Sequence, residues 1–465
     1  MGLHCRRDAA APGEIRTRIT VHRRSARIGP CLARLMKLCL SRRIVQPFPA
    51  MSSDNSIPLN TLAGGTQASC PAVAPWLVTC LAGWLLLAGC GQKKRTAEAP
   101  ARAEAPPAES QIQSWPMTRG GKALQGRVSD RVPRQPVVEW TFRAKGAVTS
   151  EAAVASGVLV FGTDEGMVIA VDLKTRKERW RVATKDTVEA CPAIAADRVF
   201  AGSNDGLFRA LDLTNGRELW HLKGEEKFPT GGTLLRSPDD TEDWILVNGY
   251  DGVSHCLRTK DGSEVWRHTA ENYINGSPAM LDGGLVAFGG CDSVIHVIHL
   301  KDGTQMHNLT TDAQIIRSLA SWNGTLYGVN YANQLLAAAA TAEQPAWVYE
   351  NDGAQFLTCP GVDEARVYVG SRDKHLHAVD RLSGKVVWKF KTGGRVESSP
   401  LVFDDAVVFG SNDGRLYALN TLDGSEIWRL DLGENLAVAP AFAAGRIVIG
   451  GASGNLFVIK RGDAP

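Results

Sequence analysis

Paired histidines are the first residues of this sequence whose spacing could do chemistry. His375 and His377 alternate along a strand-like segment, and His296 and His299 lie in a comparable one. With the right neighbours such a pair could hold zinc, but its ordinary place is a solvated strand face. Cys191, Cys256, Cys291 and Cys359 are scattered, with no two adjacent, and the residues alone leave a disulfide open. The turns Ser203-Asn204-Asp205-Gly206 and Thr163-Asp164-Glu165-Gly166 lack the alternating acidic ligands of a calcium loop. No nucleophile elbow, P-loop or dinucleotide fingerprint stands in a credible context. The sequence therefore assigns no catalytic residue, no metal and no cofactor, and the expectation is a binding protein.

A different chemistry is expected at Cys90. Residues 71–89 form an uncharged apolar run ending Leu87-Ala88-Gly89-Cys90. Small residues after an apolar stretch and before a cysteine suit cleavage and lipid attachment at that cysteine, which resembles a bacterial lipobox. The alternative is an uncut membrane anchor. No Lys or Arg separates Met51 from the run, although export signals normally open with positive charge, so residues 1–70 read as a disordered arm or a mis-assigned start. Gly91 in place of Asp favours the outer membrane by analogy. Residues 90–115, rich in Ala, Pro and Glu, read as a flexible tether, residues 116–137 as a leader, and residues 461–465 as a tail.

Charge narrows the partners. Residues 1–50 carry a net +9 and residues 51–465 a net −6, so the body is mildly acidic. A nucleic-acid binder needs clustered Lys and Arg, and that class is set aside.

The elements that position any site are internal repeats. An aromatic closes each unit at Trp140, Trp180, Trp220, Trp266, Trp347, Trp388 and Trp428, with His307 between the fourth and fifth. The steps are 40, 40, 46, 41, 40, 41 and 40 residues. A turn-side glycine recurs at Gly162, Gly202, Gly249, Gly289, Gly328, Gly370, Gly410 and Gly450. Each unit reads as four short strands split by tight-turn signals such as Asn412-Asp413-Gly414 and Leu422-Asp423-Gly424. Eight such units predict an all-β, eight-bladed β-propeller over residues 138–460, with four-stranded antiparallel blades. The long step contains the polar insertion Arg236–Asp243, which belongs in a turn. The last unit lacks its outer strand, and Val137-Val138-Glu139-Trp140 can supply it, closing the ring.

In that frame the innermost strands line a channel. Aligning the units on their inner-strand prolines places Glu189, Asn275, Leu357, Glu397 and Ala437 at one level, with Arg395 nearby. Glu189, Asn275, Arg395 and Glu397 are the expected ligand- or partner-binding residues at the channel mouth. Cys191 and Cys359 precede Pro192 and Pro360 where other units have Ser277 and Ser399, and read as small inner-strand residues.

The units Ala210-x-Asp212-x-x-Asn215-Gly216-x-x-x-Trp220, Ala378-x-Asp380-x-x-Ser383-Gly384-x-x-x-Trp388 and Ala418-x-Asn420-x-x-Asp423-Gly424-x-x-x-Trp428 resemble the tryptophan-docking motif of quinoprotein-type (PQQ-like) propellers. That resemblance implies structural tryptophans packed between blades beside the small Ala. Quinone dehydrogenases of this superfamily use longer blades, vicinal cysteines and calcium-binding carboxylates, which this sequence lacks, so quinone chemistry is the weaker expectation. Lipobox, tether and bare eight-bladed ring together resemble the BamB family of assembly lipoproteins. The family implies envelope protein partners, with the outer-membrane β-barrel assembly complex foremost, at the periplasmic face of the outer membrane. Trp115-Pro116-Met117-Thr118-Arg119-Gly120 also resembles a leader of other quinoprotein-like repeat proteins, which leaves a general periplasmic binding protein as the alternative.

Overall fold

Short β-branched and aromatic runs separated by Gly- and Asp-rich turns can bury both faces only when their sheets stack on one another. The computed structural model describes residues 114–462 and shows that outcome: eight four-stranded antiparallel sheets arranged as blades around an axis. The expected arm, apolar run, Cys90, most of the tether and the last three residues lie outside the described residues.

Blade 1 is typical, with strands Ala153–Ala155, Val158–Gly162, Met167–Asp172 and Glu178–Ala183 running from the axis outward. Its two middle strands are buried along nearly their whole length. The polar insertion of blade 3 forms the turn between Thr233–Arg236 and Asp243–Asn248, closed by the Ser237 amide on the Glu242 carbonyl at 2.9 Å. Blade 8 takes three strands from the C-terminus, and Pro136–Arg143 pairs with Asn455–Arg461 as its outer strand. The ends of the ring thus share one sheet.

Two of the repeat glycines need correction. Gly162, Gly202, Gly289, Gly370, Gly410 and Gly450 end the second strands of their blades. Gly249 instead follows its strand and Gly328 lies inside its own, so Asn248 and Val329 hold the strand-end position. At the true position the site is tight: a Cβ on Gly289 would fall 2.6 Å from Ile315. Asn248 fits by turning its amide to the Gly276 carbonyl of blade 4, 2.8 Å away.

The docking aromatics join neighbouring blades. The indole N–H groups of Trp180, Trp220, Trp266, Trp347 and Trp388 donate to Leu213, Thr259, Leu300, Arg381 and Thr421 carbonyls in the next blade, at 2.8–3.1 Å. His307 reaches the Ala342 carbonyl at 2.8 Å in the same way. The small Ala is the ladder partner of the aromatic within its own blade, as in Ala210 opposite Trp220. Between blades the ring lies instead on the turn glycine of its neighbour. A Cβ at Gly216 would come within 2.8 Å of the Trp180 ring, and its φ of 75° also suits glycine. Trp428 donates to Pro133 of the leader at 3.0 Å, because blade 8 has no outer hairpin to offer. Half-buried Trp140 faces a blade 1 turn in which Arg176, at φ 61°, replaces the glycine.

Candidate interaction site at the channel mouth

The two faces of the ring differ. On one, the loops entering each inner strand hydrogen-bond the central hairpin turn of the blade before, as Val188 N–H does to the Thr163 carbonyl at 3.0 Å. On the other, the first and third hairpin turns of each blade meet, as Leu213 N–H does with Asp197 at 2.9 Å.

The leader closes this second face. Trp115 forms an antiparallel bridge with Val154, so the chain enters the channel from that side. It then circles the axis. Carbonyls of Trp115, Pro116, Lys122, Ala123, Gln125 and Gly126 accept the amides of Val154, Ile194, Met280, Ser321, Val362 and Val402 at 2.7–3.1 Å. These are equivalent inner-strand residues of blades 1, 2, 4, 5, 6 and 7, whose N–H groups would otherwise face the channel unpaired. Beside Val402 the chain runs parallel to the inner strand and leaves by the face it entered.

Inside this turn of chain lies a buried polar cluster. Glu151 of blade 1 accepts the Trp115 indole N–H at 2.6 Å and the Arg119 amide at 3.1 Å. Burial pushes its carboxyl up, while the Arg119 charge, the indole and the amide oppose that. Arg119, 2% exposed and at φ 55°, spans to the Pro400 carbonyl of blade 7. Its Nε and Nη1 have no partner among the described residues. The same burial raises the thiol of neighbouring Cys191 well above its ordinary value. Cys191, Cys256 and Cys359 are free thiols.

The open face carries the residues expected at the mouth, in unequal roles. Glu189 is exposed at the start of its inner strand. Arg395 is exposed too, and its guanidinium stands 4.0 Å from Glu397, which also accepts the Asn412 amide at 3.0 Å. Asn275 is different. Its amide nitrogen donates to the Ile315 carbonyl at 2.8 Å and to Cys291 Sγ at 3.2 Å, which makes it a strut between blades 4 and 5. Arg317 belongs at this mouth as well: it is exposed, and its Nε donates to the Leu357 carbonyl of blade 6 at 2.9 Å. Blade 5 reads Ile316-Arg317-Ser318-Leu319 with no proline, and Arg317 stands one residue past the level that Ile316 shares with Asn275 and Leu357.

Two of the four histidines expected on a solvated face are instead built into blades, whereas His299 is exposed. His377 is fully buried, with Asp373 at 2.9 Å from Nε2 and the Tyr349 hydroxyl at 2.9 Å from Nδ1. His296 is buried against Asp292 at 2.7 Å. Among the described residues no group of His, Cys, Asp or Glu is arranged to hold a metal.

With this geometry, comparison with known proteins is informative. The sequence profile of the family described as outer membrane protein assembly factor BamB matches residues 125–241, 230–338 and 332–463. The chain belongs to this family. The crystal structure of BamB from Moraxella catarrhalis aligns with 19% identity over 71% of this chain and 99% of its own, at a TM-score of 0.59. A europium-containing methanol dehydrogenase aligns at 12% identity over 75% of this chain and 98% of its own, with a TM-score of 0.62. The quinohemoprotein alcohol dehydrogenase from Comamonas testosteroni aligns at 13% over 76% and 82%, also at 0.62. At these identities the structures share the fold. No curated protein sequence matches the chain.

The dehydrogenase folds raise the question whether this BamB-family ring suits a quinone. The residues do not fit one. Near the axis, Trp115, Arg119 and Glu151 are packed against one another, and the Glu151 carboxylate is spent on the leader. No adjacent cysteines exist anywhere in the sequence to stack on a quinone ring.

Proposed function

We propose that this chain is a non-catalytic, lipid-anchored propeller that binds protein partners in the cell envelope and serves outer-membrane β-barrel assembly. Membership of the BamB family across residues 125–463 carries the reading. The geometry supports it: one face is closed by the leader, and the other presents Glu189, Arg317, Arg395 and Glu397 around a mouth. Mixed charges on a rim give orientation and specificity to a protein contact more than raw affinity. Cys90 supplies the lipid, at the periplasmic face of the outer membrane.

The test is copurification from detergent-solubilised envelope with the full chain as bait. Barrel-assembly proteins are expected with the wild type, and about tenfold less with Arg317→Ala/Arg395→Ala/Glu397→Ala, as loss of rim charges worth roughly 1.4 kcal/mol in sum would give. Palmitate labelling is expected in the wild type and lost in Cys90→Ala. Recovery of other envelope proteins alone would replace this reading with a general binding protein. Stoichiometric binding of pyrroloquinoline quinone with turnover of an alcohol or sugar would overturn it.

A further inference from the structure

The distribution of exposed apolar side chains is uneven. Eight large hydrophobics are exposed among the described residues. Leu382, Val386 and Val387 of blade 6, Leu422 of blade 7, and Val137 and Val138 of blade 8 all lie in the third turns or at the adjoining starts of outer strands. Val348 holds the same place in blade 5, so seven of the eight line the closed-face edge of four consecutive blades. Only Tyr331 is on the open face. Leu382 and Leu422 protrude most, at 78% and 69% exposure, from equivalent turn positions that hold Lys174, Thr214, Lys260 and Lys301 in blades 1 to 4. Arg366, which donates to the Leu422 carbonyl at 3.1 Å, and exposed Lys385 stand beside them.

From this we infer that the closed-face edge of blades 5 to 8 rests on a lipid bilayer, with Leu382 and Leu422 entering the headgroup boundary. The inference rests on the reading that Cys90 carries lipid. Three observations favour lipid as the occupant. The chain leading from Cys90 enters the ring through this same face at Trp115. Twenty-three residues separate Cys90 from Ser114, a reach of at most about 80 Å, so a bilayer holding the lipid stays within range of the edge. The apolar groups are tips on turns, Leu382 near exposed Lys385 and Leu422 between Arg366 and exposed Asp423, a form suited to shallow insertion at the headgroup level. Two leucines bind a membrane only marginally alone. Combined with an acyl anchor they act as the second signal that stable attachment needs. The consequence is orientation: the mouth with Glu189, Arg317, Arg395 and Glu397 faces away from the membrane.

Hydroxyl-radical footprinting of the full lipidated chain in phosphatidylethanolamine/phosphatidylglycerol vesicles tests this. Relative to the Cys90→Ala chain mixed with the same vesicles, Leu382 and Leu422 should be oxidised several-fold less, and Tyr331 equally. In a second measurement, Leu382→Ser/Leu422→Ser should speed transfer of the lipidated chain between vesicles by about tenfold or more. Wild-type chain that floats with vesicles while both leucines stay fully reactive would overturn the inference and leave the anchor intact. Protection that appears only when envelope proteins are added would overturn it in favour of a protein partner. Absence of palmitate from the wild type would instead defeat the anchor reading itself.

Discussion

At the scale of residues, the docking aromatics show how one side chain serves two blades. Trp220 donates to Thr259 and covers Gly262 of the next blade, so truncation removes a filled interface as well as a hydrogen bond. Trp220→Ala should cost about 3–5 kcal/mol in urea unfolding, as large core truncations do. Trp322, half-buried under Arg127 at 5.3 Å and Arg381 at 6.0 Å, should cost about 1–2 kcal/mol when changed to Ala. Equal losses would contradict the assignment. His377 makes a second case. Its ring gives one proton to Asp373 and accepts one from Tyr349, the pattern of a neutral imidazole, and burial holds its pKa below the ordinary value despite the Asp373 charge. The unfolded chain therefore takes up a proton that the folded one refuses, and stability falls as pH drops through 6.5 toward the folded value. The urea midpoint should decline between pH 7 and pH 5, and less steeply in His377→Gln. The repeated tryptophans were legible in the sequence because they recur with the turn. The burial of His377 was not, although Asp373 recurs in the turns as Asp205, Asp292 and Asp413, because its second partner Tyr349 stands where other blades have Leu222, Leu309 and Leu430.

At the scale of elements, the leader is the feature the sequence described least. The motif Trp115–Gly120 was visible, but its binding partners are backbone amides, which every residue has. Only the closed ring shows that they form a row. Trp115 anchors the row through Glu151, so Trp115→Ala should loosen the whole turn of chain together. Hydrogen exchange should then rise in concert at Val154, Ile194, Met280, Ser321, Val362 and Val402, while outer-strand amides such as that of Trp220 stay protected. Independent changes at the six positions would mean the leader is held piece by piece. The mouth was partly legible for a related reason. Glu189, Arg395 and Glu397 sit where aligned prolines put them, Asn275 is tied to the Ile315 carbonyl of the next blade, and Arg317 lies one residue past the aligned level, which Ile316 holds in blade 5.

At the scale of the whole molecule, the ring is held shut by one sheet that joins residues 136–143 to 455–461. Without that pairing both blade 8 and the interface of Trp140 are lost, and Asn455–Arg461 becomes an open edge. Deleting Asn455–Pro465 should replace a single cooperative unfolding transition with a broad one and promote association, seen by calorimetry and light scattering. A sharp transition at an unchanged midpoint would show the blades to be independent. The number of blades, the closing strand and the outer docking were all readable because they repeat or terminate a repeat. The covering of one face by the leader was not, since it comes from a single non-repeating segment.

That segment has a consequence for how the protein is made. The leader lies in the hole of a ring whose last seam forms between the first strand and the last, so the blades must gather around it before the seam closes. If the N-terminus is delivered first across a membrane and held there, blade 1 has its inner-strand partner at once, whereas blade 8 waits for the final residues to arrive. Such long-range pairing is slow. In that case, until the final residues arrive, the molecule is an open horseshoe wrapped on its own leader, with a free sheet edge at each tip, and this is the interval in which chaperones or proteases would find it.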